Sequence, residues 1–486
     1  MRKKIIYLLS LLMALSLVFA SCKKNGAGDI SGPGPSDNGT DNSPTTDDGL
    51  APDGSWLDSN SEAPIKNDKI DGLQSVGGQA YYRNPVIVVL GTKGNHVAVF
   101  TEKRYKSLGA DNDIALDGST AADIVSAISV DSGKSWNGVS LVGRTTAVTD
   151  PKDAVAAPVV FRVDNKTVVV VASAGVGLSR IGKVYTERGN DQVSKLMYTV
   201  GTYDENAGTF SWSTWADMTS TVKTAIDNAS TTFNTKDGKQ FAVHSGKGIV
   251  DDSGNMYFAV TVSDQGNGGT PKELMGNIMV KGTKPTGNSV TWTVIGNSQV
   301  KFNNITGGNF STHKESRVIG VKKDNATTAS DIEYIAVGNP WSNPANNKIG
   351  YNVAGQQPQD NGIPGSEGSP AYLNVLNWQG ATSYDPSTYK YNEKGTRQQK
   401  LFAHVKTRND TITMYALNDG FTSTGKAYTV IGYPQDTTAL AKSSSMDVLG
   451  DGTIIMATEQ GGSERVYNVV FKRFTQKFLA TKLGIN

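Results

Sequence analysis

The sequence predicts an all-β protein, and three observations predict it. Apolar residues fall in short alternating or continuous runs such as "NKTVVVVAS" at 165–173 and "NMYFAVTV" at 255–262, the length and composition of strands rather than helices. Glycine is abundant, 53 residues in 486, as many tight turns require. Four times an aromatic residue closes a turn-rich segment: Trp136 after "SVDSGKS", Trp212 after "YDENAGTFS", Trp292 after "GTKPTGNSVT" and Tyr428 after "GFTSTGKA". The three tryptophans are 76 and 80 residues apart, wide for one propeller blade but acceptable with long loops. Helical periodicity appears only in "TSTVKTAID" at 219–227.

The turn at 129–136 explains itself locally. The Asp131 carboxylate is placed to accept backbone N–H bonds across the turn, Gly133 can take the left-handed conformation, and Trp136 is positioned to pack between neighbouring sheets. These residues stabilise a hairpin and perform no chemistry.

The N-terminus reads as an export signal. A charged "MRKK" precedes the apolar "IIYLLSLLMALSLVF", and small residues stand directly before Cys22. "LVFASC" resembles a bacterial lipobox, which implies cleavage before Cys22 and acylation of its thiol; an ordinary signal peptide or an anchor is the alternative, and the apolar stretch is short for a membrane span. The expected organisation is a lipoprotein signal peptide over 1–21, an acylated Cys22 with a flexible linker over 22–75, and a folded part over 76–486. The linker, with "GDISGPGPSDNGTDNSPTTDDG", has too little apolar content to offset the entropy of ordering.

Composition also excludes classes. Cys22 is the one cysteine, so no intramolecular disulfide and no cysteine metal site can form. The net charge of +2 implies no polyanionic partner. His96, His244, His313 and His404 show no metal-ligand spacing. No nucleophile elbow, phosphate loop, dinucleotide fingerprint or nucleic-acid motif occurs. No cofactor is expected.

The form Ser129-x-Asp131-x-Gly133-x-Ser135-Trp136 resembles the Asp box (BNR repeat) of sialidases and other β-propellers. Its surroundings extend the likeness. "YYRNPVIVVLGTKGNHVAVFTEKRY" resembles the opening strands of exo-α-sialidases, with Arg83-Asn84-Pro85 in place of an Arg-Ile-Pro triplet and Arg104 as a second arginine. "RYKSLGADND" resembles the segment carrying the catalytic aspartate, which matches Asp111, with Asp113 in reserve. "THKESRVIGVKK" resembles the strand whose glutamate assists the nucleophile, matching Glu315. "FAHVKTRNDTITMYALNDG" resembles the segment of a late arginine, matching Arg408. "SSSMDVLGDGTIIMATEQG" resembles the last blade, whose closing glutamate matches Glu459.

The resemblance implies a six-bladed, sialidase-like β-propeller acting on terminal sialic acids. Arginines grip the sugar's carboxylate with charge-assisted bonds that lysine cannot reproduce. The family attacks with a tyrosine oxygen, an exception among glycosidases. On this reading Arg83 and Arg408 clamp the carboxylate and Arg104 meets a ring hydroxyl or nears the carboxylate. Asp111 is the acid/base, Glu315 the helper base, and Glu459 the brace of Arg83. Simpler readings stand beside these: a surface position for Arg83, an exposed charged turn at Glu102-Lys103-Arg104, a calcium-binding or merely polar loop at Asp111, an ion pair for Glu315 and a hairpin turn for Arg408.

The chain departs from the pattern at three places. Ser443 stands where the family has its nucleophilic tyrosine, and Gly338 where a central arginine is expected. Ala157-Pro158 replaces the Asp-Pro pair of the acetamido pocket. Arg317, on the strand of Glu315, and Tyr433, from another loop, are the residues nearest to substitutes. Three functions therefore follow from the sequence, and the first two are a retaining exo-α-sialidase and a glycan-binding surface protein that keeps the pocket without turnover. A propeller recruiting a protein partner is the third. Sialylated glycans are the expected partners, the lipid anchor places the protein in the cell envelope, and a monomer is expected.

Overall fold

The computed structural model describes residues 66–75, 80–105, 121–150, 153–174, 195–229, 240–251, 253–264 and 274–295, then the strands named below between 313 and 430 (as backbone alone up to residue 400), and finally 440–450, 453–463, 466–474 and 476–484. Six sheets of four or more strands, antiparallel but for one short pairing in the second, follow one another along these residues. Sheet I comprises Ala80–Leu90, His96–Tyr105, Ala122–Ser129 and Ser140–Leu141. Sheet II is built on Val155–Arg162, Thr167–Ala174 and Lys195–Asp204, with the short strands Thr209–Trp212 and Ala216–Asp217 and a parallel addition, Gly246–Lys247. Sheet III carries Met256–Asp264, Leu274–Gly282 and Trp292–Ile295, with Gln240–Ala242 and Ile249–Val250 on its edge strand.

Sheet IV runs through His313–Lys322, Ile332–Pro340, Lys348–Val353 and Gln359–Pro364, and sheet V through Ala371–Leu376, Gln398–Val405, Ile412–Leu417 and Ser423–Val430. Sheet VI takes Leu440–Val448, Ile454–Ser463 and Val466–Phe474 from the end of the chain, and its fourth strand, Lys66–Gln74, from the beginning. The helix expected at 219–227 is present as Thr219–Ala229, and a second helix, Gln476–Leu483, seats Phe478, Leu479 and Leu483 against sheets V and VI.

The fourth strand of sheet VI corrects the expected linker, which was to run to residue 75. Ile70 and Leu73 are fully buried between sheets VI and I. The segment is polar on average, so composition reads it as tether. What orders it is pairing with Val466–Phe474, in the register Lys66 with Arg473 and Lys69 with Val470.

The core lies between consecutive sheets. In "NPVIVVL", Val86, Val88 and Leu90 pack toward sheet II while Ile87 and Val89 pack toward sheet VI. This period of two is why a strand buried on both faces reads as a continuous apolar run. One cluster joins sheets VI and I, a second joins I and II, a third II and III, and a fourth V and VI. The first strand of each sheet touches the next sheet in the series, and the series returns to its start where Leu440–Val448 meets Ala80–Leu90.

The four aromatic residues after the turns all sit at sheet boundaries. Trp136 of sheet I meets Phe471 of sheet VI edge-on at 5.4 Å. Trp212 of sheet II meets Phe100 of sheet I at 5.9 Å, and Trp292 of sheet III meets Tyr198 of sheet II at 5.5 Å. Tyr428 of sheet V lies 5.8 Å from Phe478 beyond sheet VI. In the turn before Trp136, Asp131 accepts the Ser135 N–H at 2.9 Å and bonds from the Ser129 and Ser135 hydroxyls at 2.7 and 2.6 Å. Gly133 takes φ +89° there.

Two of the tryptophans need a glycine directly across the ladder. Gly201 pairs with Trp212 and Gly282 with Trp292, and a Cβ at either glycine would stand 2.3 Å from the indole. Gly201→Ala and Gly282→Ala should each lower the unfolding free energy by about 1–3 kcal/mol, the usual cost of overpacking. Urea unfolding followed by tryptophan fluorescence measures it.

Candidate functional site

The site begins with one irregularity repeated in four sheets. Near the start of the first strand, two residues oppose one on the neighbouring strand, a β-bulge that bends the chain and re-aims side chains. In sheet I Asn84 and Pro85 lie between the paired positions Arg83 with Glu102 and Val86 with Phe100. In sheet II Ala157 and Pro158 lie between Ala156 with Ser173 and Val159 with Val171. In sheet IV Glu315 and Ser316 lie between Lys314 with Asn339 and Arg317 with Val337, opposite Gly338. In sheet VI Lys442 and Ser443 lie between Ala441 with Gln460 and Ser444 with Thr458, opposite Glu459. Asn84 and Ala157 both take φ +56°, uncommon for residues with a Cβ. Each precedes a proline, and a bulge is one of the few places where a sheet tolerates proline.

Of the residues singled out in the sequence, Arg83, Ala157, Glu315, Gly338, Ser443 and Glu459 fall at or beside these bulges. Arg83 is 12% exposed and directs Nε at Oε1 of Glu459, 3.0 Å away. The Arg83 guanidinium carbon lies 4.7 Å from the centre of the Tyr467 ring, a cation–π contact. Glu459 is fully buried, and its Oε1 also accepts the backbone N–H of Asn84. Among the described residues its Oε2 and the two terminal nitrogens of Arg83 have no hydrogen-bond partner. Burial works against the Arg83 charge, and Glu459, Tyr467 and Glu102 outweigh it, so its pKa is raised further.

Arg104 is committed to a different carboxylate. Its Nε and Nη2 lie 2.6 and 2.5 Å from Oε2 of Glu102. Its neighbours in the sequence suggest an exposed charged turn for Glu102; the structure buries it to 1% exposure. Its Oε1 accepts the Asn84 Nδ2 at 2.9 Å and the Ala157 N–H at 2.7 Å. Burial pushes the Glu102 carboxyl up, but Arg104, Asn84 and the Ala157 amide together hold it below the ordinary value. The sequence signals for this centre are visible afterwards: an Asn-Pro pair inside an apolar strand marks a bulge, and Glu102 and Arg104 share one face of their strand.

Ser443 is buried and donates to Oδ1 of Asn84 at 2.9 Å. It continues a side-chain ladder, because Ser445 accepts the Ile87 N–H at 3.2 Å and Asp447 the Val89 N–H at 2.8 Å. Residues 443, 445 and 447 thus satisfy polar groups along the otherwise unpaired edge of sheet I, an edge that would be costly to leave bare. Asp447 also pairs with Lys247 of sheet II at 2.7 Å.

The structure therefore brings together Arg83, Arg104, Glu459, Ser443 and Ala157, and adds Asn84, Glu102 and Tyr467. Glu315 is placed by its backbone at the bulge of sheet IV. Asp111, Asp113, Arg408, Tyr433 and Cys22 lie outside the described residues. Among the described residues no group of three or more His, Asp or Glu stands together to hold a metal ion.

No family model and no curated protein sequence matches this chain. Solved structures do. The chain superposes on Trypanosoma rangeli sialidase in complex with the inhibitor DANA with a TM-score of 0.55 at 14% identity, over 86% of this chain and 61% of that one. A protein of unknown function from Dyadobacter fermentans matches with a TM-score of 0.50 at 10% identity, over 84% of this chain and 98% of that one. The fold is that of the sialidases. The chain spans about three-fifths of the length of the trypanosomal enzyme.

Because the Glu102 carboxyl is held below its ordinary value of 4.5, its contribution to stability is complete above that pH. It is lost as pH falls through the lowered folded value. Acid titration of the urea midpoint should show a steeper decline for the wild-type protein than for Glu102→Gln, which has no carboxylate to protonate. Equal slopes would contradict the assignment.

Proposed function

We propose that this is a sialidase-type protein that engages terminal sialic acids of glycans through a carboxylate–arginine contact at Arg83. The observation that carries the reading is the arrangement of that arginine. A buried glutamate takes Nε and fixes the plane, and the side chain keeps partial exposure with two terminal nitrogens lacking a protein acceptor among the described residues. A planar guanidinium presented in this way suits a bidentate carboxylate. The fold supports it, since the trypanosomal sialidase of the same fold has been solved with DANA and with 2,3-difluorosialic acid as a covalent intermediate.

On this reading the six sheets are the blades of one propeller, closed by the N-terminal strand in sheet VI, and the 129–136 turn is an Asp box. Arg83 holds the sugar carboxylate, Glu459 braces Arg83, and Arg408 adds a second cation. The export signal and Cys22 place the protein at the cell envelope on a lipid anchor, with residues 23–65 as its tether.

Two modes of action share this pocket. Retaining hydrolysis is favoured by Asp111 and Glu315, which match the acid/base and helper base of the family pattern. Capture without turnover is favoured by Ser443, which occupies the place of the nucleophilic tyrosine and whose hydroxyl is engaged by Asn84. An unactivated serine hydroxyl beside an amide is a weak nucleophile.

Sialyllactose should bind the purified protein saturably, and Arg83→Ala should weaken binding by about tenfold or more, as expected when a charge-assisted bond is lost. Calorimetric titration reads this. Binding unaffected by the substitution would overturn the reading. Release of methylumbelliferone from its α-sialoside, abolished by Asp111→Ala, would assign hydrolysis; binding without release would assign capture.

A further inference from the structure

Asn84 occupies the middle of the site, and its backbone N–H and both polar atoms of its side chain are used. Its N–H goes to Glu459, its Nδ2 to Glu102 at 2.9 Å, and its Oδ1 receives Ser443 at 2.9 Å. Those partners stand on three different strands: Ile454–Ser463 and Leu440–Val448 of sheet VI, and His96–Tyr105 of sheet I. Glu102 extends the network to the Ala157 amide of sheet II and to Arg104. On the other side of the Arg83 peptide, the Thr101 hydroxyl donates to the Arg83 carbonyl at 2.6 Å.

We propose that Asn84 is the positioning residue of this site, holding Arg83 and Arg104 in fixed relation through its contacts with Glu459, Glu102 and Ser443. The left-handed backbone at φ +56° is what allows this. It turns the Asn84 N–H toward the same Oε1 that receives Arg83 Nε, while the side chain reaches the opposite way to Glu102. Asparagine tolerates that conformation better than other residues with a Cβ, because its short amide bonds locally. The Ser443–Asn84 bond gives the serine a role without nucleophilic chemistry: Glu102, which can only accept, fixes which way the Asn84 amide faces, and the serine hydroxyl satisfies the oxygen that this orientation turns toward it. An amide facing the other way would set its oxygen against a buried carboxylate. The arginine that meets an anion is thus anchored at its carbonyl, at its Nε and through the next residue, the preorganisation a precise contact requires.

The proposal deepens the reading of Arg83 as a carboxylate receptor and rests on it for its consequence, though the positioning itself can be tested without a ligand. Asn84→Gly keeps the left-handed backbone and the N–H on Glu459 but removes both side-chain bonds. Asn84→Asp sets a carboxylate against Glu102 and Glu459, with Arg83, Arg104 and the Tyr467 ring as the other charged or titratable groups facing it. Two readouts are taken on the full chain. The first is solvent-exchange protection of the Arg83 Nε–H in arginine-labelled protein, assigned by its disappearance in Arg83→Lys. The second is sialyllactose affinity as a function of pH.

Asn84→Gly should lose most of the Nε–H protection and bind about tenfold more weakly, the worth of a lost hydrogen bond to a charged group. Asn84→Asp should bind poorly at neutral pH and recover as acid protonates the introduced carboxyl, a profile absent from wild type and from Asn84→Gly. Ser443→Ala, the gentler change, should show a smaller loss of protection in the same direction. Unchanged Nε–H protection in Asn84→Gly and Ser443→Ala would overturn the proposal, whatever their thermal midpoints. Loss of protection in a protein that never binds sialyllactose would uphold the positioning role and overturn the function assigned to the site.

Discussion

The first and last sheets meet at a fully buried carboxylate, and the rest of the site depends on how that charge is satisfied. Glu459 accepts both the Arg83 side chain and the Asn84 backbone on one oxygen. A buried carboxylate without such partners would be costly, and breaking the pair by removing one member typically costs about 3–5 kcal/mol. Meeting that requirement fixes three things at once: the register between sheets VI and I, the left-handed turn at Asn84, and the direction of the Arg83 guanidinium. The direction of the Arg83 guanidinium and the contact between sheets VI and I are therefore one constraint. The strand Lys66–Gln74 reinforces it from outside, covering the edge of the sheet that carries Glu459.

The same logic explains the repeated bulges. A regular strand points successive side chains to opposite faces, and in sheets I and II both faces of the first strand are taken by the cores between sheets. A polar group that must reach the space beyond the strand ends needs a break in that alternation. Two residues against one supplies it, at Asn84-Pro85, Ala157-Pro158, Glu315-Ser316 and Lys442-Ser443. Farther along the same strands the alternation resumes, and the polar residues Ser445 and Asp447 satisfy the backbone of sheet I, Asp447 pairing also with Lys247 of sheet II.

What could be read in the sequence was what depends on neighbours in the chain. The strands at 165–173 and 255–262 declare themselves by their own periodicity, and the Asp131 turn by residues within eight positions. Arg83 and Glu459 could be named from their motif context, although nothing in the residues themselves sets their separation. What escaped depends on distant partners. Ile70 and Leu73 look like stray apolar residues in a tether until the end of the chain supplies the strand beside them. Glu102, flanked by Lys103 and Arg104, has the composition of an exposed turn. Its burial comes from Asn84 across the ladder and Ala157 from another sheet. Ser443 could be recognised as a departure, but its engagement with Asn84 is a fact of folding.

The most direct test of the account is a crystal structure of the protein with sialyllactose bound. The account predicts the sugar carboxylate on the two terminal nitrogens of Arg83, with Nε still on Glu459 and the Ser443 hydroxyl still on Asn84. A sugar seated elsewhere, or an Arg83 that leaves Glu459 to reach it, would contradict the claim that the buried carboxylate and the binding site are one structure.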